Sequence, residues 1–166
     1  MDALKIIARR VIQTNYSSFL GNVLVSQFID SGASDAEIDC GIEHCVILQE
    51  KTQPVGFAIA IDNNLHLMMI MPEYQRVGYG TKLLAYMEQQ MFERYPIINL
   101  QSFKDNAPAN TFYRKNGWRE TGEQVLDSSK IEVILFEKRV FYGSSHSLFH
   151  NLAEQGHLEE QGAHRL

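Results

Sequence analysis

The chain has 166 residues, of which 45% are hydrophobic, and its formal net charge is −5. This size and apolar content fit one globular domain with a full core, and the acidic balance excludes the basic surface that bulk nucleic-acid binding needs. The sequence shows no export signal and no apolar run of the ~20 residues that span a bilayer, so we expect a cytoplasmic protein with no membrane partner.

The N-terminal third of the chain is predicted to be helical. Apolar residues at helical spacing predict one helix over residues 3–16 and a second over 17–30, and Ser34 is expected to open a short third helix. The second helix is expected to bury five apolar side chains, namely Phe19, Leu20, Val23, Leu24 and Phe28.

The residues after His44 predict strands and helices in alternation. Strands are expected at 45–49, 55–61, 65–71, 97–103, 118–122 and 130–138, and helices at 81–94 and 107–115. The first three strands follow one another as hairpins, whereas the later ones are joined through helices. The pattern therefore predicts an α/β (α+β) fold with a mixed, mostly antiparallel central sheet and helices on both faces.

The segment between the third strand and the long helix contains two glycines. It reads Gln75-Arg76-Val77-Gly78-Tyr79-Gly80-Thr81. The first N–H groups of a helix lack intrahelical partners and the helix dipole adds partial positive charge there, so this strand–turn–helix arrangement predicts a phosphate site. A nucleotide P-loop is excluded because no Gly-Lys-Ser/Thr follows, and the dinucleotide fingerprint is excluded because its third glycine is missing.

A second motif narrows the kind of phosphorylated cofactor. Residues 106–118 read Asn-Ala-Pro-Ala-Asn-Thr-Phe-Tyr-Arg-Lys-Asn-Gly-Trp, a short helix that a glycine closes before an aromatic strand start. Together the two segments resemble the GCN5-related N-acetyltransferase (GNAT) superfamily. Its pattern is Gln/Arg-x-x-Gly-x-Gly/Ala and then, after the next strand, Asn-x-x-Ala-x-x-Phe/Leu-Tyr-x-x-x-Gly-Phe/Trp. The resemblance extends over about residues 46–137.

The resemblance implies an N-acetyltransferase that uses acetyl-coenzyme A as co-substrate, and we expect no metal. The cofactor pyrophosphate would lie on backbone N–H groups from Arg76 to Thr81, with the side chains of Gln75 and Arg76 as further donors. The third strand would splay from the next one, so that its backbone pairs with the pantetheine arm at Met68, Met69 and Ile70.

The second motif supplies the remaining residues that the resemblance implies. Asn106 and Ala109 would contact the cofactor. Tyr113 would face the thioester sulfur and donate a proton to the leaving thiolate, and the backbone N–H of Ile70 would polarise the carbonyl that an amine attacks.

The resemblance does not identify the general base. Relatives place a glutamate at the start of the third strand or five positions before the motif asparagine, and here these positions hold Asn64 and Gln101. Neither amide accepts a proton at neutral pH. His66 is the candidate that remains on the third strand, because alternation places it on the face of Asn64 and Met68 and a histidine titrates near neutrality.

Three other interpretations of the base stay open. Glu43 and His44 lie just before the first strand. A water chain held by the two amides would suffice if the amine arrives with a low pKa. A histidine packed in the sheet or at its edge is the interpretation of His66 that involves no catalysis.

The acceptor of the acetyl group stays open between a small amine, a peptide N-terminus, a lysine side chain and an aminoglycoside. Relatives build this pocket from the N-terminal helices, the strand-end loops and the C-terminal region. Its candidate lining residues are Tyr16, Phe19, Phe28 and Phe141, although a core position is the ordinary interpretation of each. The competing function is a non-catalytic acyl-CoA-binding or sensor domain on the same scaffold.

Residues 1–142 are predicted to form one acetyltransferase domain, and residues 143–166 a polar tail or docked helix. The tail is a candidate contact for a homodimer. His146 and His150 share a helix face at a spacing that suits a metal ion, but a solvated tail is the preferred interpretation.

Overall fold

The computed structural model describes residues 2–126 and 130–140 and the backbone of residues 158–160. The expected tail or docked helix, the histidine pair at 146 and 150 and the candidate lining residue Phe141 lie outside the described residues, except for those three backbone positions.

The helices of the described residues lie mostly where the sequence predicts them. They are α1 (Asp2–Val11), α2 (Ser17–Leu20), α3 (Asn22–Asp30), α4 (Ala33–Gly41), α5 (Tyr79–Phe92) and α6 (Ala107–Lys115), and a π-helical turn, Ile12–Tyr16, joins α1 to α2. Within these residues no helix combines the length and the apolar character that crossing a membrane requires.

The boundary that the sequence predicts at Ser17 is wrong. The helix continues through the π-helical turn into α2 and stops at Gly21, whose φ of 81° and ψ of 150° end it. Because α3 begins at Asn22, its buried side differs from the side predicted for one helix over residues 17–30. Val25 is buried, whereas Val23, Leu24 and Phe28 are 71%, 54% and 37% exposed, so the predicted burial of these three side chains is wrong as well.

The strands form one sheet with the order β5-β6-β4-β3-β2-β1-β7. The strands are β1 (Cys45–Glu50), β2 (Gln53–Ile61), β3 (Asn64–Ile70), β4 (Ile97–Phe103), β5 (Arg119–Leu126), β6 (Ile131–Arg139) and β7 (Leu158–Glu160). All neighbours are antiparallel except β3 and β4. The strand predicted at 97–103 and the helix predicted at 107–115 have the bounds that the structure shows.

The contact between β3 and β4 is short. These parallel strands pair only at Asn64 with Asn99 and at Leu65 with Leu100. Asn63 closes the junction, because its carbonyl accepts a hydrogen bond from the Asn99 N–H at 2.8 Å and its side-chain amide donates to the Ile97 carbonyl at 3.3 Å. Beyond this junction the two strands diverge.

Two hydrophobic clusters cover the two faces of the sheet. One cluster joins α5 to the sheet through Leu83, Leu84 and Met87, and the other joins α1 and α4 to the opposite face through Leu4, Ile7 and Ile38. The predicted mixed, mostly antiparallel sheet with helices on both faces is therefore confirmed.

A charged network ties α5 to the far edge of the sheet. The Glu88 carboxylate accepts a hydrogen bond from the indole N–H of Trp118 at 2.7 Å and another from the Lys138 ammonium at 2.5 Å. Lys138 also donates to the Asn116 carbonyl at 2.8 Å, where α6 ends. The Glu88 side chain is 14% exposed, so removing it leaves two donors with little access to water.

We expect Glu88→Ala to lower the free energy of unfolding by about 2–3 kcal/mol, because the buried Trp118 indole N–H loses its acceptor and the Lys138 ammonium loses its paired carboxylate and keeps only the Asn116 carbonyl. Urea denaturation of the variant and the parent protein measures this difference. Glu93→Ala, at the exposed end of the same helix, is the matched control and should change stability by less than about 0.5 kcal/mol. Equal losses in both variants would contradict the role given to Glu88.

Candidate active site

A cleft of about 1250 Å³ opens where β3 and β4 diverge. It is lined by most residues that the sequence singles out, namely Asn64, His66, Met68, Met69, Ile70, Gln75, Arg76, Gly78, Gly80, Thr81, Gln101, Asn106, Ala109 and Tyr113. The exceptions among the predicted site residues are Val77 and Tyr79. Of the other base candidates, Glu43 and His44 are not among its lining residues.

The cleft side of β3 carries unpaired backbone groups. The Met71 N–H donates to the Val55 carbonyl, so the backbone groups of Met69 point to β2 and those of Met68 and Ile70 point to the cleft. Within the described residues no strand pairs with this edge beyond Leu65. Met68 and Ile70 are therefore placed to bind an extended ligand through the backbone, and Met69 is not.

The start of α5 presents free N–H groups to the same cleft. Gly78 is the residue before the helix and has a φ of 99°, and Arg76 also has a positive φ, of 62°. No side chain of the described residues caps this end of the helix. The first N–H groups of α5, from Tyr79 to Thr81, are thus available to an anion.

Two side chains of the glycine loop are engaged within the protein. The Gln75 amide donates to the Ile70 carbonyl at 2.8 Å, and its oxygen accepts from the Asn15 amide at 3.4 Å. The Tyr79 hydroxyl donates to the Glu50 carboxylate at 2.6 Å. Gln75 and Tyr79 therefore hold the loop against the sheet and the first helix. Arg76 is exposed at the cleft and remains the loop side chain suited to a phosphate.

The position of α6 is fixed by two asparagines. The Asn106 side-chain oxygen accepts from the Ala109 N–H at 3.3 Å and caps the helix. Asn110 is buried, and its amide donates to the carbonyls of Phe103 and Lys104 at 3.1 and 3.0 Å. These bonds attach the helix to the end of β4 and so place Tyr113, one turn later, at the cleft.

The Tyr113 ring is held by aromatic neighbours. Its centroid lies 5.4 Å from that of Phe112, 5.7 Å from that of Phe136 and 6.1 Å from that of Trp118. Burial raises the pKa of Tyr113 above its ordinary value, and Tyr16 adds to this rise. The hydroxyl therefore stays protonated at neutral pH and is a hydrogen-bond donor.

His66 reaches the cleft for a reason that the sequence does not reveal. Leu67 pairs with Ile59 but Leu65 pairs with Ala60, so the register skips His66 and the strand has a β-bulge there. The prediction that simple alternation places His66 on the face of Asn64 and Met68 is therefore wrong, although all three residues line the cleft.

Sequence reasoning missed Glu37 of α4 as a site residue. Its Oε1 lies 3.8 Å from the His66 Nε2, and the carboxylate is 47% exposed. Tyr16, which the π-helical turn places at the cleft, is close enough for burial and the Glu37 charge to raise its pKa to about 12. A π-turn and a helix-borne carboxylate leave no short motif, so only the folded chain brings these groups together.

The comparison with family models shows which protein family has this cleft. The model of the acetyltransferase (GNAT) domain matches residues 13–139. The chain belongs to the GNAT acetyltransferase family. The predicted recognition and the enzyme class, an acetyl-CoA-dependent N-acetyltransferase, are thereby confirmed. The match begins within the π-helical turn and ends with β6, so it includes every residue of the candidate site.

Solved structures support the same GNAT fold. A GCN5-related N-acetyltransferase from Rhodopseudomonas palustris has a TM-score of 0.72 at 18% identity, with 84% of this chain and 90% of that chain covered. The PaiA N-acetyltransferase from Thermoplasma acidophilum, solved with coenzyme A, has a TM-score of 0.67 at 20% identity, with 84% and 92% covered.

A third structure holds acetyl-coenzyme A itself. The streptothricin acetyltransferase assigned in Bacillus anthracis has a TM-score of 0.54 at 23% identity, with 58% of this chain and 62% of that chain covered. The search of curated proteins found no significant match.

We expect Gly78→Ala to weaken the binding of coenzyme A about 10-fold. The alanine must adopt a positive φ at this position, and its Cβ projects into the open space beside the α5 N-terminus. Gly32→Ala is the matched control, since Gly32 also has a positive φ and open space but lies outside the cleft. Both variants should lose about 1 kcal/mol of stability. Calorimetric titration should show weaker binding of coenzyme A in Gly78→Ala only. Equal affinities in the two variants would contradict the anion site at the start of α5.

Proposed function

We propose that the protein transfers the acetyl group of acetyl-CoA to a primary amine by direct attack within the cleft between β3 and β4. The proposal rests on three features that lie together in one cleft. The unpaired edge of β3, the uncapped start of α5 and the Tyr113 hydroxyl all line one cleft. The relatives solved with coenzyme A and acetyl-CoA support the choice of donor.

The residues present fit a molecule with an extended polar arm and a pyrophosphate. The backbone groups of Met68 and the N–H of Ile70 offer an unpaired strand edge for the amides of the arm. The N–H groups from Tyr79 to Thr81 and the Arg76 guanidinium offer donors to the pyrophosphate. Acetyl-CoA supplies the activated thioester when it is bound.

The same elements provide the groups that amine attack needs. The Ile70 N–H polarises the thioester carbonyl, and the Tyr113 hydroxyl donates to the sulfur as the carbon–sulfur bond breaks. His66 accepts the proton that the ammonium form of the acceptor must lose and passes it to solvent. The carbon–nitrogen bond then forms, and the second amine proton ends on the thiolate.

We expect Tyr113→Phe to lower kcat about 100-fold, because the donor to the leaving sulfur is lost, and to leave the Kd of acetyl-CoA nearly unchanged. Thiol release under saturating substrates measures kcat, and calorimetry measures the Kd. Tyr95→Phe, at a tyrosine outside the cleft, is the control for a lost phenol. An unchanged kcat in Tyr113→Phe would reject the donor role.

We expect His66→Ala to lower kcat/KM for ethylamine about 100-fold at pH 7, because no imidazole is left to accept the ammonium proton. The loss should be smaller for trifluoroethylamine than for ethylamine, since the fluorinated amine is already neutral at pH 7. A variant that keeps the parent kcat/KM with both amines would show that His66 is not the base.

The amides at Asn64 and Gln101 favour a second candidate function. Both line the cleft where relatives carry glutamates, as a domain that binds acetyl-CoA without turnover would allow. Thiol release over a panel of amines separates the two functions. Tight binding of acetyl-CoA with no release for any amine would support the sensor and overturn the transferase.

A further inference from the structure

The N-terminal helices build one wall of the cleft, and this wall is largely apolar. We give the name N-terminal wall to six of the lining residues there, namely Tyr16, Leu20, Leu24, Val25, Phe28 and Glu37. The apolar Val11 and Ile12 and the uncharged polar Asn15 and Gln27 line the cleft beside them. Leu24 is 54% exposed and Phe28 is 37% exposed, so both offer apolar surface that a bound group would cover. This apolar surface predicts an acceptor with an apolar part.

Charge in the cleft is sparse, and the N-terminal wall carries one charged side chain, that of Glu37. Among the described lining residues Glu37 is the sole carboxylate, and the other ionisable groups besides the tyrosines are His66 and Arg76. The Glu37 oxygen and the His66 Nε2 are 3.8 Å apart, longer than a hydrogen bond, which leaves the carboxylate free to accept one from an ammonium group.

Tyr16 lines the cleft together with Glu37 and Tyr113. The Tyr16 ring also packs edge-on against Phe103, with centroids 5.3 Å apart. An amine held at Glu37 therefore lies in the same cleft as the Tyr113 hydroxyl that faces the thioester.

We infer that the acceptor is a small amine with a single positive charge and an apolar substituent of about aromatic size. Its ammonium group binds between Glu37 and His66, and its substituent covers Leu24 and Phe28. The inference rests on the proposed transferase function. A polyamine or an aminoglycoside fits poorly, because one carboxylate leaves its further ammonium groups unpaired against apolar side chains.

The first test compares acceptors in the thiol-release assay. We expect kcat/KM for 2-phenylethylamine to exceed that for ethylamine and that for spermidine by about 10-fold or more. A peptide with an N-terminal alanine should also be poorer. Equal or higher kcat/KM for spermidine or for the peptide would overturn the acceptor class while leaving the transferase function in place. Release with none of these amines would overturn both.

The second test uses two variants with matched controls and a binding readout. Glu37→Gln should raise the KM for 2-phenylethylamine about 10-fold and weaken its calorimetric binding to the coenzyme A complex, with no loss of coenzyme A affinity. Asp30→Asn removes an exposed carboxylate outside the cleft and should change neither. Unchanged binding in Glu37→Gln would overturn the ammonium site.

The variant at the apolar surface tests the substituent. Phe28→Ala should raise the KM for 2-phenylethylamine about 10-fold but leave that for ethylamine unchanged, because only the larger amine reaches this ring. Val23→Ala, on the same helix but outside the cleft, should leave both values unchanged. If Phe28→Ala changes both amines equally, the wall does not bind the substituent.

Discussion

The fold depends on the early end of pairing between β3 and β4. Only two residue pairs join these strands, and Asn63 fastens the junction from both its backbone and its side chain. Neither strand is free to close the gap, because β3 stays paired with β2 up to Ile70 and β4 stays paired with β6 up to Phe103. A sheet interior normally satisfies its backbone groups within itself. Here the unmet groups of β3 face a cleft, which is why a ligand with amide groups suits this place.

The loop and helix around this opening are fixed by bonds that do not depend on a ligand. Gln75 holds the glycine loop to the Ile70 carbonyl, and Asn110 holds α6 to the last carbonyls of β4. Each of the two diverging strands therefore leads to one half of the site. The chain after β3 forms the anion site at the start of α5, and the chain after β4 forms α6 with Tyr113. Their separation is set by the sheet, which gives the cleft a preformed shape.

The sequence predicts the parts of the site that local rules control. Strand and helix periodicity placed β4 and α6, and the glycine loop at Gly78 could be recognised because a helix start and a positive φ have short sequence requirements. Three features could not be predicted. The π-helical turn before Ser17 and the bulge at His66 have no short sequence motif, and the approach of Glu37 to His66 joins two elements far apart in sequence. The amides at positions 64 and 101 were visible in the sequence, but the presence of the Glu37 carboxylate at the cleft was not.

The pKa of Tyr113, compared with that of the leaving thiol, limits the role of Tyr113 in the reaction. A thiol has an ordinary pKa of about 8.5 and a phenol of about 10, and burial raises the pKa of Tyr113 further. Full transfer of the phenolic proton to a thiolate is therefore unfavourable. A hydrogen bond from the hydroxyl to the sulfur needs no such transfer, and it strengthens as negative charge develops on the sulfur while the carbon–sulfur bond breaks. In its buried aromatic surroundings Tyr113 is thus a hydrogen-bond donor that stabilises the negative charge on the sulfur. The proton that neutralises the thiolate comes from the attacking amine.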